Sequence, residues 1–227
     1  MSFTGTAAVI AETKLIVVLR HIPLETLDGV ATALREGGVR VLEVALNTPR
    51  ALDQLRLLRQ YDFCLGVGTA LHEQTTRAAI DAGAEFLFSP IRSSFFLPLC
   101  RERGVVGIPG GLTPTEIYTL HAEGADFIKV FPGSLGGPKY IQEILAPCED
   151  MRLVPAGGVD LRNLDDYLDA GVAAVAVGKE IASPRLAAER NFREIAQQAA
   201  RFTEKIRASA SPRPAIGRDK KSASPGR

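Results

Sequence analysis

The chain has 227 residues, of which 46% are hydrophobic and 23% charged, and a formal net charge of +1. That balance gives an ordinary globular core and removes bulk electrostatic attraction to nucleic acid or to an anionic membrane as the basis of function. No apolar run reaches the length of a membrane span, and the opening "MSFTGTAAVIAETK" lacks the basic start and long apolar centre of a secretory signal.

Cys64, Cys100 and Cys148 stand at no metal or redox spacing and read as reduced thiols of a cytoplasmic protein. His21, His72 and His121 are scattered, without a second ligand type at close spacing, so neither a metal site nor another cofactor is expected.

Along the chain, short apolar runs predict eight strands. They lie near Leu15–Arg20, Val39–Leu46, Phe63–Gly68, Glu85–Ser89, Val105–Ile108, Phe127–Phe131, Arg152–Pro155 and Ala173–Val177. Their starts are roughly 20–26 residues apart, room for one strand and one helix per unit. One junction recurs, in "REGGVRVLEVAL", "DAGAEFLFSP", "RERGVVGIPG", "AEGADFIKVFP" and "DAGVAAVAVG": a polar helix end, a glycine, then a strand. Glycine suits the left-handed position that closes a helix. The nearly continuous hydrophobicity after it suits a parallel strand covered on both faces.

Between the strands, "TPTEIYTLHAEG" carries a capping box, with Thr113 as N-cap, Pro114 at the first helical position and Glu116 reaching back. Thr48 and Thr69 are candidate N-caps of the helices that follow them. A helix is predicted from Asp160 to Gly171, and one long helix over "SPRLAAERNFREIAQQAARFTEKI". Eight βα units in series predict an α/β fold of the (β/α)8 TIM-barrel type, a single domain over residues 1–207. The Ser-, Pro- and Lys/Arg-rich segment 208–227 is expected to be disordered. An open doubly wound sheet is the alternative, but no GxGxxG follows the first strand.

In a barrel, functional groups gather at the C-terminal ends of strands. The polar or turn residues in or just after strands are Arg20, Glu43, Thr69, Ser89 with Pro90, Lys129, Gly157 with Gly158, and Gly178 with Lys179. Glu43 and Lys129 lie inside apolar strands, where an ionisable group is costly unless it is paired or used. A buried salt bridge accounts for them. So does a nucleophilic amine whose desolvation leaves a neutral fraction near pH 7, served by a carboxylate that moves protons. The glycine-rich ends of the last two strands are either tight turns or a backbone phosphate site. Arg20 is either a solvated strand end or a contact for a substrate anion.

"VLEVALNTP", "GVGTAL", "FLFSP", "GIPGGLTPTE", "FIKVFP", "VPAGGV" and "VAVG" occur in an order that resembles the 2-keto-3-deoxy-6-phosphogluconate aldolases. That family also includes the 2-keto-3-deoxy-6-phosphogalactonate and 4-hydroxy-2-oxoglutarate aldolases. The resemblance runs from Lys14 to Ile181. It implies a class I aldolase of Entner–Doudoroff-type carbohydrate metabolism. Such an enzyme cleaves a 2-keto-3-deoxy-6-phospho sugar acid to pyruvate and glyceraldehyde 3-phosphate, needs no cofactor and is usually a homotrimer. 4-Hydroxy-2-oxoglutarate cleavage and oxaloacetate decarboxylation are further activities it implies.

By the same resemblance Lys129 is the Schiff-base lysine and Glu43 the general acid/base. Thr69 and Pro90 line the pyruvate pocket, and Gly157, Gly158 and Gly178 hold phosphate. The chain departs from the gluconate type at Asn47, where arginine is common. "VLRHI" and "GGPKYI" are closer to the galactonate type, in which the arginine ending the first strand, here Arg20, contacts a substrate anion. Ala156 replaces a threonine, Ile91 and Arg92 alter the loop after Pro90, and Lys179 offers a charge near the phosphate loops. A phosphosugar isomerase or synthase, or a non-catalytic phosphosugar-binding barrel, remain the alternatives.

Overall fold

The computed structural model describes residues 5–210. In chain order the elements are α1 (Gly5–Thr13), β1 (Leu15–Leu19), α2 (Leu27–Glu36), β2 (Val41–Ala45), α3 (Ala51–Leu58), β3 (Cys64–Gly68) and α4 (Glu73–Asp81). There follow β4 (Phe86–Phe88), α5 (Phe96–Arg103), β5 (Val106–Ile108), β6 (Gly110–Gly111), α6 (Pro114–Ala122), β7 (Ile128–Val130) and α7 (Gly137–Leu145). The chain closes with β8 (Leu153–Pro155), α8 (Leu164–Asp169), β9 (Val175–Val177), α9 (Pro184–Ala188) and α10 (Phe192–Ala210).

All eight expected strands are present, and every pairing is parallel. The expected closed eight-stranded barrel is met in part. The ladders are a six-stranded curled sheet, β5-β4-β3-β2-β1-β9, and a three-stranded one, β6-β7-β8. The expected fifth strand is β5, and Pro109, which has no N–H to give a ladder, separates it from the further short strand β6. On the other side a single parallel bridge, Ala156 to Ala176, joins the end of β8 to β9.

Strand alternation sorts the side chains into two apolar clusters. Val17, Leu42, Val44, Val67 and Leu87 face the helices. Ile16, Val41, Phe86, Phe88, Ile108 and Phe127 line the inner face of the curled sheet. Ala7 and Ile10 of α1 belong to that inner cluster. Thr6 donates to Glu85 and Glu12 pairs with Arg40, residues that precede β4 and β2, so α1 lies across the N-terminal ends of the strands.

The helix-closing glycines behave as their junctions predict, with positive φ at Gly38, Gly83, Gly104, Gly124 and Gly171. The capping box of α6 is formed. Three expectations are corrected. Thr48 does not cap α3; its hydroxyl accepts the His21 N–H at 2.9 Å and ties the loop after β1 to the loop after β2. Asp160 does not start α8; it accepts the N–H groups of Arg162 and Asn163 in a tight turn, and the helix begins at Leu164. The last helix is two, broken at Arg190 with φ 53°; Ser183 caps α9, and Asn191 accepts the Glu194 N–H at the start of α10. The tail expected from residue 208 lies outside the described residues after Ala210; up to that point the chain is still helical. No described helix is long and apolar enough to cross a membrane.

Candidate active site

β2 and β7 each carry one ionisable residue on the inner face. On β2, Val41 faces the inner cluster, and two residues on, so does Glu43; on β7, Phe127 sets the same parity for Lys129. Glu43 is 1% exposed and Lys129 4%. They line one cavity of about 470 Å³ at the C-terminal ends of the strands, together with Arg20, Phe88, Phe131 and the Gly157–Gly158 turn.

Glu43 fits because β3 has no side chain beside it. A methyl group added at Gly68 would sit 1.6 Å from Glu43 Oε1 and 2.2 Å from its Cδ. Gly66, one inward position lower, leaves space for the ring of Phe86. The "GVG" strand is thus a slot cut for two larger neighbours.

Neither oxygen of the Glu43 carboxyl has a hydrogen-bond partner among the described residues. A buried carboxylate without donors is expensive. Burial accordingly raises the Glu43 pKa, only partly opposed by the positive charges of Lys129 and Arg20. Among the described residues Lys129 makes no hydrogen bond or ion pair; its Nζ lies 4.1 Å from the centre of the Phe88 ring and 4.8 Å from that of Phe131. Burial lowers its pKa from the usual 10.5 to about 8, with Glu43 acting against the fall and Arg20 adding to it. The simple buried salt bridge is therefore excluded as an account of the pair, since no ion contact joins them.

The remaining expected residues divide. Arg20, Gly157, Gly158 and Gly178 line the cavity. Gly157 and Gly158 both have positive φ, 83° and 84°, which directs the chain after β8 into a tight turn. That turn packs on the segment after β7. Gly133 N–H donates to Ala156 O at 2.8 Å, and a side chain on Gly158 would strike Ser134.

Thr69 does not line this cavity, nor does it cap α4, whose N-cap is His72. Its hydroxyl instead accepts from the Arg20 guanidinium at 3.5 Å. Its φ of 58° is a left-handed conformation that β-branched residues rarely adopt and that concentrates at functional sites. Pro90 also stands outside the cavity wall. It lies against Gly110, which is paired with Lys129, so it supports the strand that carries the lysine's neighbour.

The sequence reading missed Phe88, Phe131 and Gly68 as parts of the site. All three were signalled by alternation: Phe131 lies two residues from Lys129, Phe88 two from Phe86, and Gly68 two from Gly66. Among the described residues, no group of three or more His, Cys, Asp or Glu side chains converges as metal ligands would.

The description "KDPG and KHG aldolase" matches residues 6–198. The chain belongs to that family. The resemblance read from its motifs is thereby borne out, and it is an aldolase, an aldehyde-lyase, by descent. A probable 2-dehydro-3-deoxy-6-phosphogalactonate aldolase of Rhizobium meliloti (strain 1021) is 32% identical over 181 residues, 78% of this chain and 85% of its own. The 2-dehydro-3-deoxy-phosphogluconate aldolase of Treponema pallidum is 36% identical over 66% of this chain and 76% of its own.

Among solved structures, a native KDPGal structure superposes with a TM-score of 0.79 at 29% identity, covering 86% of this aldolase and 95% of that chain. The KDPG aldolase of Legionella pneumophila, with pyruvate captured as a covalent carbinolamine, gives a TM-score of 0.81 at 29% identity over 87% of this chain and 97% of its own.

Proposed function

We propose that this aldolase works by class I chemistry with Lys129 as the imine-forming amine and Glu43 as the proton carrier. The observation that carries the reading is a buried, unpaired lysine with a pKa near 8 facing a partnerless buried carboxyl across one cavity. At neutral pH a tenth or so of such a lysine is neutral amine, against about one part in a few thousand for an exposed lysine.

The neutral Nζ adds to the C2 ketone of a 2-keto acid, and loss of water leaves an iminium. Glu43, through a water, takes the proton of the C4 hydroxyl. The C3–C4 bond breaks, its electrons enter the iminium to give an enamine, and an aldehyde departs. Glu43 returns a proton to C3, and water frees pyruvate and the amine. The raised pKa of Glu43 suits a group that must both accept and return a proton near neutrality.

The substrate is a 2-keto-3-deoxy-6-phospho sugar acid. Arg20, held by Thr69, takes the carboxylate, and the Gly157–Gly158 and Gly178 turns take the phosphate through backbone N–H groups. The two ladders form one closed (β/α)8 barrel, supported by the single residue between β5 and β6 and by the Ala156–Ala176 bridge. A cytoplasmic homotrimer fits the reduced cysteines and the family.

The test is borohydride reduction in the presence of pyruvate, followed by peptide mass analysis. An adduct on Lys129, lost in Lys129→Ala, supports the reading. An adduct elsewhere, or none, overturns it and favours the imine-free isomerase or binding barrel. A panel of gluconate-type, galactonate-type and unphosphorylated substrates then fixes the configuration.

A further inference from the structure

Three consecutive residues after β1 are each held by a side chain from a neighbouring βα unit. The Arg20 guanidinium donates to the Thr69 hydroxyl at 3.5 Å. The His21 N–H donates to the Thr48 hydroxyl at 2.9 Å. The Ile22 carbonyl accepts from the Gln54 side-chain amide at 2.7 Å. Thr48 and Gln54 are both buried. The parallel register brings these groups together. Leu19 of β1 pairs with Val44 of β2, and Ala45 of β2 with Gly68 of β3, so the loops after the three strands leave the sheet side by side.

Two features of this clamp work against stability. His21 has φ 56°, a left-handed conformation that persists only where the surroundings impose it. Gln54 Oε1 is buried with no hydrogen-bond partner among the described residues, and a buried acceptor without a donor is costly. What the clamp secures is the course of the chain at Arg20 and His21, which both line the cavity of Lys129 and Glu43. Among the described residues the loop after β2 gives this cavity no cation; it holds the one that β1 supplies.

We propose that Thr48 and Gln54 are positioning residues for Arg20. They fix the turn after β1 so that the guanidinium meets the carboxylate of a 2-keto acid bound at Lys129. The inference rests on the class I reading above and deepens it by naming what orients the anion contact. Thr48 and Gln54 lie outside the cavity wall and act only through the backbone of His21 and Ile22.

The experiment measures the pyruvate concentration that half-saturates borohydride labelling of Lys129, because pyruvate carries the carboxylate and no distal group. The proteins are wild type, Arg20→Gln, Thr48→Val, Thr48→Ser and Gln54→Met, with Thr48→Val and Gln54→Met repeated in the Arg20→Gln background. Arg20→Gln is expected to raise that concentration on the order of 10- to 100-fold, the range for a hydrogen bond to a charged group. Thr48→Val and Gln54→Met each remove one hydrogen bond at similar side-chain size and should raise it roughly 3- to 10-fold. Thr48→Ser keeps the acceptor and stays near wild type. In the Arg20→Gln background neither variant adds a further loss, because the three residues act as a unit. In turnover of the sugar acid the loss falls on KM rather than on kcat.

An unchanged half-saturating concentration in both Thr48→Val and Gln54→Met overturns the proposal, whatever their melting temperatures, since the clamp then serves only the fold. A loss that is undiminished without Arg20, or a Thr48→Ser as impaired as Thr48→Val, overturns it too. No label on Lys129 in the wild type would instead defeat the class I reading, so the two failures are distinguishable.

Discussion

The inner face of the sheet has two halves with opposite chemistry. Toward the N-terminal ends, Ile16, Val41, Phe86 and Phe127 pack with Ala7 and Ile10 of α1 into a sealed apolar layer. Toward the C-terminal ends, the next inward positions hold Glu43 and Lys129, with no hydrogen bond or ion pair to either among the described residues. The strands are the same strands, and only two residues separate Val41 from Glu43 and Phe127 from Lys129. The lower half therefore acts as the dry wall that makes the upper half reactive. It denies Lys129 and Glu43 water from beneath, and this desolvation moves their pKa values in opposite directions, both toward neutrality.

The largest expected effect lies in the upper half. Glu43→Gln keeps the shape of the side chain and removes its ability to carry a proton. Turnover should fall by roughly 10²–10⁴-fold, the usual worth of a general acid/base, while pyruvate still traps on Lys129. Loss of trapping equal to the loss of turnover would mean that Glu43 shapes the pocket rather than moving protons.

The two glycines of β3 separate the halves most sharply. Gly68→Ala puts a methyl group against the Glu43 carboxyl. Displacing a catalytic group by about an ångström costs on the order of 100-fold in rate. Gly66→Ala puts its methyl group 2.4 Å from the Phe86 ring instead. It should cost ~1–3 kcal/mol of stability by overpacking and leave kcat within a few-fold. Thermal unfolding and steady-state kinetics on both variants check the pair. Interchangeable phenotypes would break the division.

A smaller effect comes from making the upper half resemble the lower. The double variant Glu43→Gln/Lys129→Met is inert, and at pH 7 it should be more stable than wild type by about 1–4 kcal/mol, since unpaired buried charges are relieved. Below pH 8 the folded wild type carries a buried ammonium. Between about 8 and 10.5 the folded state has released that proton while the unfolded chain keeps it, so wild-type stability rises with pH. The gap to the double variant should therefore narrow over that window, as followed by denaturant melts from pH 7 to 10.5. A gap that widens would reverse the sign of the Lys129 shift.

Much of this was legible in the sequence because it is local. Eight apolar runs, the repeated helix-glycine-strand junction and the Thr113 capping box need only near neighbours in the chain. Lys129 and Glu43 stood out because a charge inside an apolar run breaks a strong pattern. What stayed hidden depends on partners far away in the chain. Nothing near Thr48 shows that its hydroxyl meets His21, and Thr69 gives no local sign that it turns to Arg20. The void at Gly68 has meaning only once β2 lies beside β3. The helix break at Arg190 was readable, since Asn191 and Glu194 form a cap signal, but it lies inside a run of good helix formers. α1 was missed because it covers the strand ends and belongs to no βα unit.

The central claim is that burial makes Lys129 a nucleophile at neutral pH. The most direct test is the pH dependence of the rate at which pyruvate is trapped on Lys129, measured in single turnover. The account predicts a half-maximal rate near pH 8 in the wild type and at lower pH in Glu43→Gln, which lacks the negative neighbour that holds the lysine pKa up. A midpoint near 10.5 in both proteins, as for a lysine in water, would contradict it.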